Sequence, residues 1–250
     1  MRVKEFLYFI ILKFKNRSAK IPATDLEITE ALYNTNLVTI PNLGKEIKLP
    51  PFDIWTLAPD SLIFILNYIK KHNLKSVLEL GSGLSTVAIA GIFQQSNFEN
   101  QVIVSLEQDQ KYQDQTTKWL TKNKLTKFTR IINSPLIEYS IQNKKWWWYD
   151  IKNLDPSRKF DLIIVDGPVG TAGELNRFPA VPLLLDRLSD DGIIILDDYN
   201  RPDETKIVEM WLKMFPELKL KKVKTLKGMA IISKKINLKI AKKWLKNIVA

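Results

Sequence analysis

Cysteine is missing from all 250 residues, histidine occurs once, as His72, and glycine only nine times. The first absence excludes a disulfide framework and every thiolate-ligated zinc or iron–sulfur centre. The second excludes a His-rich metal site, and leaves Ser–His–Asp catalysis dependent on one residue. A membrane-spanning run is also missing at the N-terminus. MRVKEFLYFIILKFK is unbroken apolar only from Phe6 to Leu12, far short of a spanning helix. Ser18-Ala19-Lys20 makes a poor cleavage site, so no signal peptide is expected. Acid is missing from the other end. No Asp or Glu follows Leu218, and the eleven lysines from Lys219 to Lys246 equal the whole formal charge of +11. A solvated face is the preferred reading, and a tail for anionic lipid or nucleic acid is the alternative. The lack of thiols fits a reducing compartment. The expectation is a cytoplasmic protein, with peripheral membrane contact through residues 1–15 or 236–250 as a further option.

What is present reads as an ordinary globular chain, 45% hydrophobic and 26% charged. Residues 1–50 form a helical adaptor or cap, with Thr24-Asp25-Leu26-Glu27 opening its second helix and Pro41, Gly44 and Pro50-Pro51 in a loop. Residues 51–235 form the body, and 236–250 a basic C-terminal helix. Pro59-Asp60-Ser61 starts a helix to about Lys71, with Leu62, Ile63, Ile65, Leu66 and Ile69 at helical spacing. Apolar runs follow at 76–80, 102–106, 129–132, 161–165 and 192–197, with helical segments at 84–95, 109–122 and 178–189 between them. Runs such as Leu162-Ile163-Ile164-Val165 are apolar on both faces, as strands inside a parallel sheet must be. After a helix at about 203–214, Lys219–Lys224 and Met229–Ser233 pair as an antiparallel hairpin around Leu226-Lys227-Gly228. The fold class is α/β, a Rossmann-like, seven-stranded, mostly parallel sheet with an antiparallel C-terminal hairpin and helices on both faces.

The stretch SVLELGSGLST, Ser76 to Thr86, is a strand running through a glycine turn into a helix. A dinucleotide loop needs G-x-G-x-x-G, and here the sixth position is Thr86. The strand ends in an acid, Glu79, which suits a cationic ligand better than a pyrophosphate. A second strand ends in Glu107, where a carboxylate can accept both hydroxyls of a ribose. A ligand with a ribose, an ammonium group and no phosphate is S-adenosylmethionine. Leu78-Glu79-Leu80-Gly81-Ser82-Gly83, then Glu107, then Phe160-Asp161-Leu162-Ile163-Ile164-Val165-Asp166-Gly167-Pro168 resemble the motifs of class I S-adenosylmethionine-dependent methyltransferases over roughly residues 55–235.

The resemblance implies a role for each matching position. Glu79 faces the cofactor's amino group, and the backbone of Gly81, Ser82 and Gly83 approaches its methionine part. Ser85 and Thr86 donate to its carboxylate beside the helix amides. Glu107 holds the ribose and Gln108 lies beside the adenine, whose edge is met by the turn Asn133-Ser134-Pro135. Local readings stand beside these: Ser85 and Thr86 as helix caps, Glu107 as a partner of Lys111. For the chemistry, Asp166 ends the fourth strand of the family pattern and Asp197-Asp198 the fifth. Asp166 orients or deprotonates the acceptor; Asp198 and Tyr199 bind acceptor hydroxyls or serve as base. Some small-molecule O-methyltransferases hold Mg²⁺ on such acids, but an Asp-Asn pair is expected there, and Arg177 and Arg201 stand ready as ion-pair partners. A metal is therefore not favoured.

Gly167 to Gly173 reads as a mobile cover. Lys144-Lys145-Trp146-Trp147-Trp148-Tyr149-Asp150 is either a stacking platform or the wall of a loop, and resemblance to similar methyltransferases favours a structural or pocket-lining role for Trp148 and Tyr149. His72 is expected to be structural. The function implied is methyl transfer to a small-molecule or glycan acceptor, at oxygen. The alternatives are a nucleic-acid methyltransferase, which Asp166-Gly167-Pro168-Val169 in place of an Asp/Asn-Pro-Pro-aromatic motif disfavours, a non-catalytic membrane-associated adaptor, and a nicotinamide oxidoreductase.

Overall fold

The apolar runs become strands in a computed structural model that describes residues 25–234, except 35–38, 97–98 and 170–172. The expected helix at 1–15, the basic helix at 236–250 and Gly170-Thr171-Ala172 of the cover lie outside the described residues. The strands are β1 Ser76–Leu80, β2 Val102–Glu107, β3 Thr129–Asn133, β4 Leu136–Ile141, β5 Lys144–Tyr149, β6 Phe160–Val165, β7 Leu188–Asp197, β8 Lys219–Val223 and β9 Met229–Ser233. The helices are α1 Asp25–Asn34, α2 Pro59–His72, α3 Leu84–Gln95, α4 Gln110–Lys122, α5 Ala180–Leu184 and α6 Pro202–Met214.

Seven strands form one sheet in the order β3-β2-β1-β6-β7-β9-β8. β3, β2, β1, β6 and β7 run parallel, and β9 is antiparallel to both β7 and β8. The chain winds from β1 outward to β3, then returns to β6 on the other side of β1. A crevice must open between the carboxyl ends of β1 and β6, because their connections leave in opposite directions.

Alternate residues of each strand feed two cores. Leu78, Leu80, Ile163 and Val165 pack with Trp148, Phe178 and Trp211 on one face. Val77, Ile103, Leu162 and Ile164 pack with α2 and α3 on the other. The segment before α2 joins that second core through Ile40, Ile47, Phe52 and Leu57. It is pinned by reciprocal bonds in which Asn34 Nδ2 donates to Phe52 O (2.8 Å) and Phe52 N donates to Asn34 Oδ1 (2.6 Å). No helix among the described residues is long and apolar enough to cross a membrane.

Two local readings change. The helix expected over 178–189 is the short α5 followed by a 3₁₀ turn at Leu185–Arg187, and β7 begins at Leu188 rather than 192. Leu188 pairs with Phe160, and the pairing resumes only at Ile193 with Leu162, so the polar Ser189-Asp190-Asp191 is carried as an irregularity inside the strand. The tryptophan-rich stretch is a strand of a separate antiparallel hairpin, β4–β5, rather than a loop. Its two-residue turn, Gln142-Asn143, has φ of 52° and 60°, the backbone that matches strand twist in a hairpin. Trp146 and Trp148 point inward, at 5% and 0% exposure, and Trp147 outward at 56%.

Candidate active site

β1 delivers Glu79 one residue before its end, and burial there raises the carboxyl to about 7. Hydrogen bonds to Ser85, Thr86 and Ser105 pull it down, and the charge of Asp166 pushes it up. Thr86 Oγ1 donates to Glu79 Oε2 at 2.6 Å and Ser105 Oγ donates at 3.0 Å. Thr86 Oγ1 also accepts from Gly83 N at 2.9 Å, which closes the first turn of α3. Gly81 turns the chain at φ +98°, a backbone that favours glycine. A Cβ on Gly83 would meet nothing within 4 Å, so the space above the loop is open for a ligand.

Glu107 at the tip of β2 is held by the backbone rather than by Lys111. Its Oε2 accepts from Ser82 N and Ser82 Oγ, each at 2.8 Å, and its Oε1 from Asp109 N at 3.0 Å. A carboxylate offers about four acceptor positions. A vicinal diol can therefore take the free position and the one that Ser82 Oγ releases on rotating. Beside it, Gln108 Oε1 is buried with no hydrogen-bond partner among the described residues. An unpartnered acceptor at that point fits the exocyclic amine of a purine. Asp109 caps α4 by accepting from Lys111 N at 2.8 Å.

These groups surround a cavity of about 520 Å³ at the β1/β6 crevice. Of the residues singled out in the sequence, Glu79, Gly81, Ser82, Gly83, Ser85, Glu107, Gln108 and Asp166 line it. Thr86, Asn133, Ser134, Pro135, Asp198 and Tyr199 do not. Thr86 lies behind Glu79. Asn133 Nδ2 donates to Gln110 Oε1 at 3.0 Å. Ser134 is fully buried, with its N donating to Glu107 O (2.7 Å) and its Oγ to Asp150 O (2.8 Å), so it ties β2 to the β4–β5 hairpin. Tyr199 is buried beneath the Lys222 ammonium, 5.3 Å from its ring centre.

Other lining residues were not singled out as site residues. Asp53 and Trp55 come from the segment before α2, and Tyr112 and Trp119 from α4; Tyr149, for which a structural or pocket-lining role was expected, lines the cavity from β5. The spacing of Tyr112 and Trp119, two turns apart on one helix, was the available signal. Tyr149 Oη sits where a Cβ on Gly167 would collide with it, between the tips of β1 and β6. The lining carries five carboxylates, Asp53, Glu79, Glu107, Asp109 and Asp166, and no Lys or Arg among the described residues. His72 lies elsewhere, with its ring 4.3 Å from that of Tyr68.

Behind Asp166, carboxylate oxygens of Asp166, Asp197 and Asp198 come within 4.8 Å of one another. A guanidinium already sits among them. Arg177 Nη2 lies 3.1 Å from Asp198 Oδ2 and 3.5 Å from Asp166 Oδ1, and Nη1 donates to Asp197 O at 3.1 Å. Arg201 Nη1 reaches Asp198 Oδ2 at 2.8 Å. Asp197, whose carboxylate has no hydrogen-bond partner among the described residues, is pushed well above the ordinary range by burial and by its acidic neighbours. A divalent ion draws its oxygens to about 2.0–2.6 Å. The Asp166 and Asp198 carboxylates are committed to a buried guanidinium, which leaves the Asp197 carboxylate as the one acid of the three free to ligate, too few for that ion.

Residues 78–199 match the family described as a methyltransferase domain. No curated protein matches the sequence. Among solved structures, the S-adenosylhomocysteine-bound methyltransferase PaMTH1 of Podospora anserina is similar, with TM-score 0.58 and 18% identity over 94% of this chain and 97% of that one. The O-methyltransferase of Bacillus cereus in complex with S-adenosylhomocysteine gives TM-score 0.54 and 15% identity over 91% and 98%. The O-methyltransferase TomG of Streptomyces achromogenes, involved in tomaymycin synthesis and solved with S-adenosylmethionine, gives 0.54 and 12% over 93% and 99%. Residues 78–199 are therefore similar to a methyltransferase domain, and the sheet that holds them has the Rossmann-like fold of these solved methyltransferases.

Proposed function

We propose that this chain transfers a methyl group from S-adenosylmethionine to an oxygen of a small-molecule or glycan acceptor that carries no phosphate. The observation that carries the reading is the pair of acids, Glu79 and Glu107, at neighbouring strand tips on one cavity, with the open loop between them. Glu79 suits the ammonium end of the cofactor and Glu107 its ribose diol; the first amides of α3 suit its carboxylate, and Ser85 Oγ joins them by turning its one proton away from Glu79. When bound, the cofactor supplies an electrophilic methyl group on a sulfonium and leaves as the neutral thioether. The protein's part is alignment and exclusion of water. Asp166, at the cavity wall, suits the role of orienting the acceptor hydroxyl and receiving its proton, and Trp55 and Tyr112 suit that of flat surfaces at the mouth. The acidic lining, with Glu79 only partly ionised near pH 7 and no lining Lys or Arg among the described residues, disfavours a phosphate, which argues against nucleic acids as acceptors.

Calorimetry with S-adenosylmethionine and S-adenosylhomocysteine tests the cofactor assignment. Wild type is expected to bind both, and Glu107→Ala to bind both about 10- to 100-fold more weakly, as for loss of a charged hydrogen-bonding group worth roughly 1.5–3 kcal/mol. Equal affinity in the variant, or preference for NADH, overturns it. Asp166→Asn should then keep cofactor affinity and lose turnover once an acceptor is found.

A further inference from the structure

We propose that Arg177 is the resident cation of the Asp166–Asp197–Asp198 cluster, occupying the place of a divalent ion, and that methyl transfer by this chain proceeds without metal. Arg177 is 5% exposed, and its fork engages three elements at once. Nη2 faces Asp166 at the tip of β6 and Asp198 beyond β7; Nη1 faces the carbonyl of Asp197 and, at 3.4 Å, Glu204 Oε1 in the first turn of α6. Asp198 turns its backbone to φ +59°, a conformation short polar side chains tolerate, beside both arginines. A planar donor set spread over several acceptors is what arginine supplies and lysine does not. A second cation between the same oxygens would lie within a few ångströms of a buried positive charge.

Only Asp166 of this cluster lines the cavity, and Arg177 grips it from behind. Arg177 is thus a positioning residue: it fixes the acceptor-facing acid without itself reaching the cavity. The claim of metal-free transfer rests on the methyltransferase reading above; the assignment of the cation does not.

Mn²⁺ titrated into chelator-treated, full-length protein, read by calorimetry and electron paramagnetic resonance, tests it, with S-adenosylhomocysteine affinity measured in the same samples. Wild type is expected to take up no stoichiometric Mn²⁺ up to about 1 mM. Its S-adenosylhomocysteine affinity should be unchanged by EDTA. Arg177→Met leaves the acids without their cation and should gain one Mn²⁺ site, at least about tenfold tighter than any in wild type, which a further Asp198→Asn removes. One equivalent bound by wild type and lost in Asp198→Asn overturns the proposal, as does a folded Arg177→Met that takes up none. Should Arg177→Met not fold, the wild-type titration decides alone. Wild type that binds neither Mn²⁺ nor S-adenosylhomocysteine would sink the function proposed above and leave the cation assignment standing.

Discussion

Thr86 stands where a dinucleotide loop has its last glycine, and its hydroxyl does two things glycine cannot. It closes the turn at Gly83 and it holds Glu79. The residue that breaks one fingerprint is the one that secures the acid of the other. Glu79 carries a pH signature because its folded value, about 7, lies above the ordinary 4.5. A raised acid favours folding in its protonated form. That contribution is complete below pH 4.5 and is lost as pH climbs to about 7, some 3 kcal/mol in all for a shift of this size. Urea unfolding of Glu79→Gln against wild type from pH 4 to 8 should show that slope flattened in the variant. Cofactor binding has the opposite sense, since the ammonium group prefers the carboxylate. Calorimetry near pH 6.5 in buffers of different ionisation enthalpy should report proton release on binding in wild type and none from Glu79→Gln.

The element that most shapes the far side of the cavity is the β4–β5 hairpin. Its inward face packs Trp146 against Phe178, with ring centres 4.6 Å apart, and Trp148 against Tyr139 and Tyr149. Its last residue, Tyr149, enters the cavity, so the hairpin sets a wall by filling the core beneath it. Trp148→Ala should lower stability by about 3–5 kcal/mol. Trp147→Ala, on the outward face, should stay within about 0.5 kcal/mol, with both measured by chemical unfolding. At the other end of the sheet, Lys219, Lys221 and Lys222 fall on the edge strand β8, exposed to solvent. Lysines there discourage pairing with another chain, which accounts for part of the basic C-terminal run without a ligand.

Across the whole molecule, the net positive charge falls mostly on residues 1–24 and 235–250, outside the described residues. A chain of net charge +11 lines its cavity with carboxylates. An acidic lining with no Lys or Arg among the described residues disfavours anions in the cavity. Candidate acceptors assayed in matched pairs, with and without a phosphate, should be methylated only in the phosphate-free form. Turnover of an oligonucleotide or a phosphorylated acceptor at a comparable rate would refute the charge argument.

The strands, the glycine turn and the two strand-end acids were legible because their causes are local: apolar runs at strand length, a broken fingerprint, an acid at a fixed offset. The hairpin was not, since three consecutive tryptophans hide the alternation that marks a strand, and its turn, Gln142-Asn143, lacks glycine. Asp166 and Asp198 look alike in sequence, each an acid just beyond an apolar run. Tertiary structure alone separates them, because Arg177, from between those strands, buries Asp198 and leaves Asp166 at the cavity wall. Sequence determined which strands form and where their acids fall, as those follow from neighbours along the chain. Which acid lines the cavity and which is buried between two arginines depends on side chains distant in sequence, and only packing brings those together.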